Sequence, residues 1–318
     1  MRSALARLHL GRLRGAEQDT DFIVHVLTST TESPVEIPET QLRSQEDSQD
    51  FLNHYLPEFF GLPRRGLGRA CAEEYAKEGA KIVLVDISPN TLSSTAKQLS
   101  DQGYKVHSFQ CDLSSTADVE RFGRLVLEDV GVPDIIHNNA MRNRTGSITN
   151  LEVKNVEEDL NINVLGYLRV VQAFLPSMIS RGSGWIVNTA SPLGLIPPRG
   201  AAEHLLSYCV SKAADISMSQ SMAVALKQYN IGVTVLYPDM TLTEAADDIK
   251  GSAPVEFMDA FSATFKEIGK APDAVAKIMV DGIKQQKFSV SAAPLFEKLL
   301  VEWAQTGMDP NATYSSHV

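Results

Sequence analysis

Cysteine and long apolar runs are both scarce in this sequence of 318 residues. Its three cysteines, Cys71, Cys111 and Cys209, lie in or beside predicted core elements and lack C-x-x-C or histidine spacing. The sequence therefore predicts reduced cysteines that pack in the core, with no disulfide framework and no metal site. No apolar run approaches the roughly 18 residues that a membrane-spanning helix needs, so we expect no membrane span.

Positive charge is also in deficit. The sequence has 29 Lys and Arg against 39 Asp and Glu, which gives a net charge of −10. This net negative charge does not indicate a basic surface that binds nucleic acid, and we expect no nucleic-acid partner. Hydrophobic residues make up 43% of the chain and charged residues 21%, which is typical of globular proteins. A chain of this length can bury one large core, so a second domain is not required.

Strand and helix patterns alternate along most of the chain. Apolar and β-branched runs predict strands at 81–87, 105–110, 133–137, 184–189, 231–236 and 287–290. Helical spacing of apolar residues predicts helices at 69–77, 91–99, 115–130, 155–179, 207–228 and 272–285. This alternation predicts an α/β fold, a doubly wound parallel sheet in a single domain with right-handed crossovers.

The pair Tyr208 and Lys212 is the strongest chemical signal. The two residues are one helical turn apart, so their side chains project from the same face. An ammonium group favours the phenolate of a neighbouring tyrosine and lowers its pKa, and an acid/base group works best when its pKa is near the working pH. Ser191 ends an apolar strand upstream, where ligands of open α/β sheets bind. This combination predicts proton transfer to or from an alcohol.

A series of motifs, in chain order, resembles the short-chain dehydrogenase/reductase family. The matching positions are Asp112-Leu113, Asn138-Asn139-Ala140, Asn163, Ser191, Tyr208 with Lys212, and the loop from Pro238 to Thr243. The resemblance covers residues 62–295 in one continuous register. It implies a Rossmann-like fold, NAD or NADP as cofactor, a small-molecule alcohol or ketone as substrate, and a homodimer or homotetramer.

The resemblance also implies a role for each catalytic position. Tyr208 would act as general acid/base, and Lys212 would lower its pKa and hold the nicotinamide ribose. Ser191 would hydrogen-bond the substrate oxygen. Asn163 would position a water that links Lys212 to solvent.

Further matching residues are implied to hold the cofactor. They are Gly66, Leu67, Gly68, Asp112, Leu113, Asn139 and Thr243, together with Tyr208 and Lys212. The segment 66–68 opens a predicted helix, and a helix N-terminus favours phosphate. The family's loop reads T-G-x-x-x-G-x-G, but here Leu62 stands where its first glycine belongs, and Pro63 removes a backbone N–H.

The choice between NAD and NADP depends on Asp86, at the end of the second strand of the family's pattern. A carboxylate there accepts hydrogen bonds from the ribose 2′-hydroxyl and repels a 2′-phosphate, which favours NAD. Arg64 and Arg65 flank the loop and could pair with a phosphate, so NADP stays open.

The first strand of the family's pattern is missing where it belongs. Residues 51–60 precede the loop instead, and they contain Pro57 and no alternation. The segment 21–28 is a β-branched run that could substitute, although about thirty residues of loop would then follow it, more than is usual. Either 22–27 supplies the central strand, or we expect weak stability and poor dinucleotide binding.

The sequence thus divides into an atypical and partly disordered extension at 1–60, a dehydrogenase domain at 61–295 and a tail at 296–318. The first fifteen residues contain four Arg, one His and no acid, a composition found in mitochondrial transit peptides. A disordered basic N-terminus or a mis-joined stretch of coding sequence fits equally well. We expect a cytoplasmic protein, with a mitochondrial location as the alternative.

Two further departures from the family's pattern lie beside the predicted site. His137 replaces an apolar strand residue, and Met141 replaces the glycine after N-N-A. Together with the altered loop, they leave a second hypothesis open, a pseudoenzyme or scaffold with a degraded cofactor site. His204 could touch substrate, although a solvated loop histidine is the simpler interpretation. Residues 240–269 form the predicted lid and give no indication of the substrate.

Overall fold

The computed structural model describes residues 22–26, 66–243 and 250–311. Within these ranges the strands, in chain order, are β1 (Phe22–Val26), β2 (Lys81–Asp86), β3 (Val106–Gln110), β4 (Ile135–Asn138), β5 (Arg144–Thr145), β6 (Gly184–Thr189), β7 (Ile231–Tyr237), β8 (Lys250–Gly251) and β9 (Ser289–Ser291). Seven of them form a parallel sheet in the order β3-β2-β1-β4-β6-β7-β9, and β5 pairs with β8. The sheet is therefore doubly wound, as predicted.

Helices connect successive strands. They are α1 (Leu67–Lys77), α2 (Pro89–Asp101), α3 (Thr116–Asp129), α4 (Val153–Leu160), α5 (Tyr167–Arg181), α6 (Arg199–His204), α7 (Leu206–Leu226), α8 (Val255–Ile268), α9 (Pro272–Lys284) and α10 (Phe296–Gln305). A π-helical segment, Asn161–Gly166, joins α4 to α5, and short 3-10 turns occur at Pro192–Gly194 and Lys227–Tyr229. The predicted tail thus contains α10, whose Phe296 packs against Tyr237 with ring centroids 4.7 Å apart.

The two faces of the sheet bury separate apolar clusters. In β2, Ile82 and Leu84 face the cluster that contains α1 and α9 residues, whereas Val83 and Val85 face the cluster with α3 and α5 residues. All four side chains are fully buried. Burial on both faces explains why this strand has a continuous apolar run instead of alternation.

The central strand β1 comes from the segment that the sequence offered as a substitute. Val24 lies opposite Val83 of β2 on one side and Ile136 of β4 on the other. A strand therefore occupies the slot between β2 and β4, and the backbone groups of both neighbours have partners there. Residues 27–65, which connect β1 to α1 and include the run at 51–60, lie outside the described residues.

The sequence Ser115-x-x-Asp118 at the start of α3 resembles a capping box, which forms only in part. The Ser115 hydroxyl accepts a hydrogen bond from the Asp118 amide at 3.3 Å, as the motif requires. The Asp118 carboxylate does not return to Ser115, because it accepts the backbone N–H of Asp112 at 2.7 Å. This contact ties the segment after β3, where Asp112 lies, to the first turn of the helix.

The helical stretch Val153–Arg181 has 29 residues and is long and apolar enough, by length and composition, to cross a membrane. Core helices meet the same criterion. Here Val170, Phe174 and Met178 are buried in the core of the sheet's α3/α5 face. The stretch also carries Asn163 into the predicted site, so it serves as a core helix of this fold.

The three cysteines are free thiols, two of them buried and Cys209 partly so. Burial raises the pKa of Cys111 and Cys209 to about 12, which leaves them as unreactive thiols at neutral pH. Among the residues with described positions, no group of three or more His, Cys, Asp or Glu is placed to hold a metal ion.

Candidate active site

The structure brings Ser191, Tyr208 and Lys212 together at the carboxyl end of β6. Ser191 follows this strand, and Tyr208 and Lys212 lie on the first turns of α7. Ser191 is close enough to Tyr208 to lower the pKa of its phenol, and the Lys212 Nζ lies 5.9 Å from the centre of the Tyr208 ring. The predicted proton-transfer group and its charged neighbour are therefore adjacent.

Ser191 is held by the turn that follows it. Its Oγ accepts the Leu193 amide at 3.2 Å and caps the 3-10 turn. Gly194 at the end of this turn lies directly against α7, because a Cβ there would come within 2.6 Å of the Lys212 carbonyl carbon. Only glycine permits this close approach, which presses the serine turn onto the helix that carries the tyrosine and lysine.

Lys212 is almost completely buried, with 2% of its surface exposed. Its Nζ donates to the Thr189 carbonyl at 2.7 Å and to Asp215 Oδ2 at 3.0 Å. Burial alone would lower the pKa of Lys212, but Asp215 and the rings of Tyr167 and Tyr208 outweigh it and hold the pKa above its ordinary value. The side chain is therefore an ammonium at neutral pH.

Tyr208 has a pKa above the ordinary tyrosine value. Burial is the largest cause and raises it, whereas Lys212 and the hydrogen bond from Ser191 lower it. The neighbouring ammonium thus lowers the pKa of Tyr208, as the sequence predicts, but in the described structure burial raises this pKa by more. A full activation of the phenol needs further positive charge at the site.

Asn163 lies in the π-helical segment and is fully buried. Its Oδ1 accepts the Arg142 amide at 2.7 Å, and its Nδ2 donates to the Arg142 carbonyl at 2.8 Å and to Ser211 Oγ at 3.1 Å. The asparagine therefore ties the loop after β4 to α7 at Ser211, the residue that directly precedes Lys212. A π-helical turn often marks a functional position, and the predicted water at this residue stays a prediction.

A buried ion pair that the sequence did not reveal stabilises the same contact between the loop after β4 and α7. Asp159 is fully buried and pairs with Arg142, and its Oδ2 accepts the Ser207 hydroxyl at 2.6 Å. Burial raises the pKa of Asp159, and the contacts with Ser207 and Arg142 oppose that rise. Ser207 directly precedes Tyr208, so Asp159 joins the loop after β4, α4 and the start of α7. No spacing in the sequence connects these residues.

His137 reaches the site from β4 and belongs to a buried chain of polar groups. Its Nδ1 lies 3.1 Å from the Tyr75 hydroxyl, and its Nε2 lies 3.0 Å from Thr189 Oγ1. The carbonyl of the same Thr189 accepts the ammonium of Lys212. The histidine that replaces an apolar residue is thus hydrogen-bonded on both ring nitrogens. Only the fold could show these partners.

The N-terminus of α1 has the features that a phosphate site needs. Gly66 is its N-cap and offers no side-chain cap, and a Cβ at Gly66 would meet nothing within 4 Å. The backbone amides at a helix N-terminus suit an anionic group. Leu67 and Gly68 form the first turn. The remainder of the loop, from Leu62 to Arg65, lies outside the described residues.

The other predicted cofactor residues follow the carboxyl ends of successive strands. Asp86 ends β2, is 2% exposed and accepts the Ser88 amide at 2.8 Å. Asp112 follows β3, and its Oδ1 accepts the amide and hydroxyl of Ser114 at 2.8 and 2.7 Å. Because the strands are parallel, these ends lie on the edge of the sheet that also carries Ser191.

Three more residues extend this edge. Leu113 follows Asp112 and is buried, and Asn139 follows β4 and is also buried. Thr243 is half-buried in the loop after β7. That loop is held near its start, because the Lys270 Nζ lies 2.7 Å from Asp239 Oδ2. The predicted nicotinamide side of the site therefore lies between the ends of β4, β6 and β7.

A row of aromatic side chains on α8 packs next to α6. His204, four residues before Tyr208, packs against Phe257 of α8 with ring centroids 4.6 Å apart. Phe261 and Phe265 continue the row along α8, with centroid separations of 5.6 and 4.8 Å. His204 is therefore mostly buried instead of solvated, and the lid presents an apolar row that the sequence did not indicate.

Comparison with known proteins decides the family. The sequence pattern described as short chain dehydrogenase matches residues 63–253, more than half of the chain. The chain belongs to the short-chain dehydrogenase family. The matched segment includes Asn163, Ser191, Tyr208 and Lys212.

Curated relatives of this short-chain dehydrogenase are partial matches. The probable oxidoreductase EphD of Mycobacterium tuberculosis is 30% identical over 237 residues, which cover 72% of this chain and 39% of that protein. The 17-beta-hydroxysteroid dehydrogenase 13 of Rattus norvegicus is 30% identical over 227 residues, which cover 70% of this chain and 69% of the relative. The chain thus spans well under half of the first of these relatives.

Solved structures show the same fold. A short chain dehydrogenase/reductase from Burkholderia phymatum in complex with NAD has a TM-score of 0.71 and 23% identity, and the match covers 92% of this chain and 96% of that one. L-sorbose reductase from Gluconobacter frateurii, complexed with NADPH and L-sorbose, has a TM-score of 0.64 and 21% identity, covering 86% and 94%. Members of this fold group thus include both an NAD and an NADPH complex.

Proposed function

We propose that this short-chain dehydrogenase transfers a hydride between NAD and an alcohol or ketone, with Tyr208 as general acid/base. The observation that carries the proposal is that Tyr208 lies beside the buried ammonium of Lys212, at the end of the strand that Ser191 follows. Two hydroxyl groups at the carboxyl edge of a parallel sheet can hold one substrate oxygen between them. One of them has a cation nearby that stabilises its ionised form.

The residues of this chain account for the proton side of the reaction. In oxidation, Tyr208 as phenolate takes the proton of the substrate hydroxyl, and Ser191 donates a hydrogen bond to the same oxygen. In reduction, Tyr208 returns the proton to the carbonyl oxygen. Lys212 stabilises the phenolate, and Asn163 holds the loop after β4 against α7. When bound, the nicotinamide supplies the hydride acceptor or donor.

The preference for NAD rests on Asp86. Its carboxylate is buried at the end of β2, where it caps the turn through Ser88. A buried negative charge that faces the ribose would repel a 2′-phosphate and accept hydrogen bonds from a 2′-hydroxyl. Arg64 and Arg65 could act in the opposite direction, and they lie outside the described residues.

The pseudoenzyme hypothesis is tested first, through binding. Titration with NADH, followed by its fluorescence, should saturate if the helix N-terminus of α1 holds the pyrophosphate. A protein that folds but shows no saturable NADH or NADPH binding would support a scaffold role and contradict our proposal. Binding should be followed by single-turnover assays with NADH and a panel of ketones, in which loss of NADH absorbance reports hydride transfer.

A further inference from the structure

Asp215 is a buried carboxylate one turn beyond Lys212 on α7. None of its surface is exposed, and its Oδ2 accepts the Lys212 Nζ at 3.0 Å. Its other oxygen, Oδ1, is buried and has no hydrogen-bond partner among the described residues. A buried carboxylate is costly unless an opposite charge compensates it. The ammonium of Lys212 supplies that compensation.

The same ammonium lies beside the proposed acid/base. Nζ lies 5.9 Å from the centre of the Tyr208 ring and 5.5 Å from that of Tyr167. Asp215 is much closer to it. Because Coulomb energy depends on the distance between charges, a carboxylate 3.0 Å from the ammonium cancels part of the field that the ammonium exerts on the phenol.

We propose that Asp215 is a positioning residue that holds Lys212 and neutralises its charge, and thereby restrains the loss of the Tyr208 proton. With respect to catalysis, this inference rests on the proposed function. It goes beyond that function, because it assigns a specific electrostatic control to a residue outside the Ser191, Tyr208 and Lys212 set. Because the inference concerns the ionisation of Tyr208 itself, it also applies when no substrate is present.

Every titratable group around the pair is consistent with this arrangement. Tyr167 faces Lys212 from α5, Tyr208 and Cys209 lie on α7, and His137 of β4 reaches it through Thr189. None of these groups brings a permanent positive charge that could replace Lys212. Burial raises the pKa of Asp215 to about 6, and Lys212 opposes that rise, so the carboxylate is ionised at neutral pH.

The direct test is an alkaline titration of Tyr208 by its absorbance near 295 nm. The signal of Tyr208 is isolated by subtracting the titration of Tyr208→Phe in each background. Asp215→Asn retains an oxygen that can accept the Lys212 hydrogen bond but removes the charge. We expect it to lower the ionisation midpoint of Tyr208 by less than ~2 pH units, the shift from one unit charge ~6 Å away at an effective dielectric constant of ~20, because Asp215 lies seven residues from Tyr208.

An unchanged or higher midpoint in Asp215→Asn overturns the inference. If that variant does not fold, Asp215→Ser provides the same test with a smaller neutral side chain. Asp281→Asn is the matched control, since it removes a carboxylate from an exposed i,i+4 pair with Lys277 and should leave the midpoint unchanged.

A second readout separates charge from position. Asp215→Ala removes both the charge and the hydrogen bond, so we expect weaker NADH binding than in Asp215→Asn together with a similar shift of the Tyr208 midpoint. Equal NADH affinity in both variants would contradict the positioning part. Because the titration needs neither cofactor nor substrate, a protein without turnover would contradict the proposed function and leave the test of Asp215 readable.

Discussion

The two sides of the sheet edge are held in different ways. On the side of β4, β6 and β7, the proposed catalytic residues are held by contacts between distant segments, such as Asn163 with the Arg142 backbone and Lys212 with the Thr189 carbonyl. On the side of β2 and β3, Asp86 and Asp112 bind backbone amides two residues further along. The first side depends on the assembled fold, whereas the second is built from local turns.

This difference indicates which changes should damage the whole protein and which should affect only one ligand. Substitution of a residue that joins several elements removes contacts in all of them, and such losses are large when the groups are buried. A turn residue at the cofactor edge has mostly local partners. Changes there should therefore alter cofactor preference more than stability.

The largest effect should come from removal of β1, which lies between the two sides. Deletion of residues 1–27 takes out a central strand that pairs with β2 and β4, so the truncated protein should fail to fold or lose several kcal/mol of a total of ~5–15 kcal/mol. Thermal unfolding followed by circular dichroism measures this. Deletion of residues 1–20 is the matched control, because it retains Phe22–Val26 and should fold.

An unchanged melting temperature after deletion of 1–27 would show that another segment closes the sheet. The two truncations separate that alternative from the arrangement of the structure.

Next in size is the effect of Tyr208→Phe on the catalytic side. Removal of the transferable proton should reduce kcat by roughly 10²–10⁴-fold and leave NADH affinity nearly unchanged. Tyr167→Phe is the control, because Tyr167 is equally close to Lys212 but its hydroxyl donates to the Ala140 carbonyl at 2.9 Å. Steady-state rates with the best ketone of the panel measure both. Retention of more than about a tenth of the wild-type kcat by Tyr208→Phe would reject it as the acid/base.

Asp159→Ala should act through the fold of the same side. It leaves Arg142 without its buried partner and Ser207 without its acceptor, so we expect a loss of about 3–5 kcal/mol in the free energy of unfolding. Chemical denaturation measures the loss. Asp118→Ala on the other side removes a surface pair with Arg121 and one hydrogen bond from the Asp112 amide, and it should cost less. Equal losses in the two variants would contradict the difference between the two sides.

Sequence patterns predicted most of the fold because parallel strands that are buried on both faces have continuous apolar runs. The run at 81–87 became β2 and that at 184–189 became β6. The segment 21–28 has the same character, but the interval of 27–65 before α1 exceeds the usual strand-to-helix connection. Its place in the sheet therefore became evident only from the pairing of β1.

The site was predictable to the extent that its residues share a short spacing or belong to a motif. Tyr208 and Lys212 are one helical turn apart, and the strand before Ser191 indicates an edge of the sheet. Asp215 is equally near Lys212 in sequence, yet an acid on a helix is usually solvated, and its burial comes from packing. Arg142, Asp159 and Ser207 meet only because three separate elements converge.

The smallest effect that we predict concerns cofactor preference on the side built from local turns. Asp86→Asn keeps an oxygen that can accept the Ser88 amide but removes the charge that would repel a 2′-phosphate. We expect the ratio of NADPH to NADH affinity to rise by about tenfold, which corresponds to ~1.4 kcal/mol, with little change in melting temperature. Asp112→Asn is the matched control, because it removes a carboxylate from the neighbouring strand end, and it should leave the ratio unchanged. Fluorescence titrations with both cofactors measure the ratio.

A wild type that already prefers NADPH would show that Asp86 does not determine the choice and that Arg64 and Arg65 deserve substitution next. A large drop in the melting temperature of Asp86→Asn would show that this side, too, depends on the assembled fold.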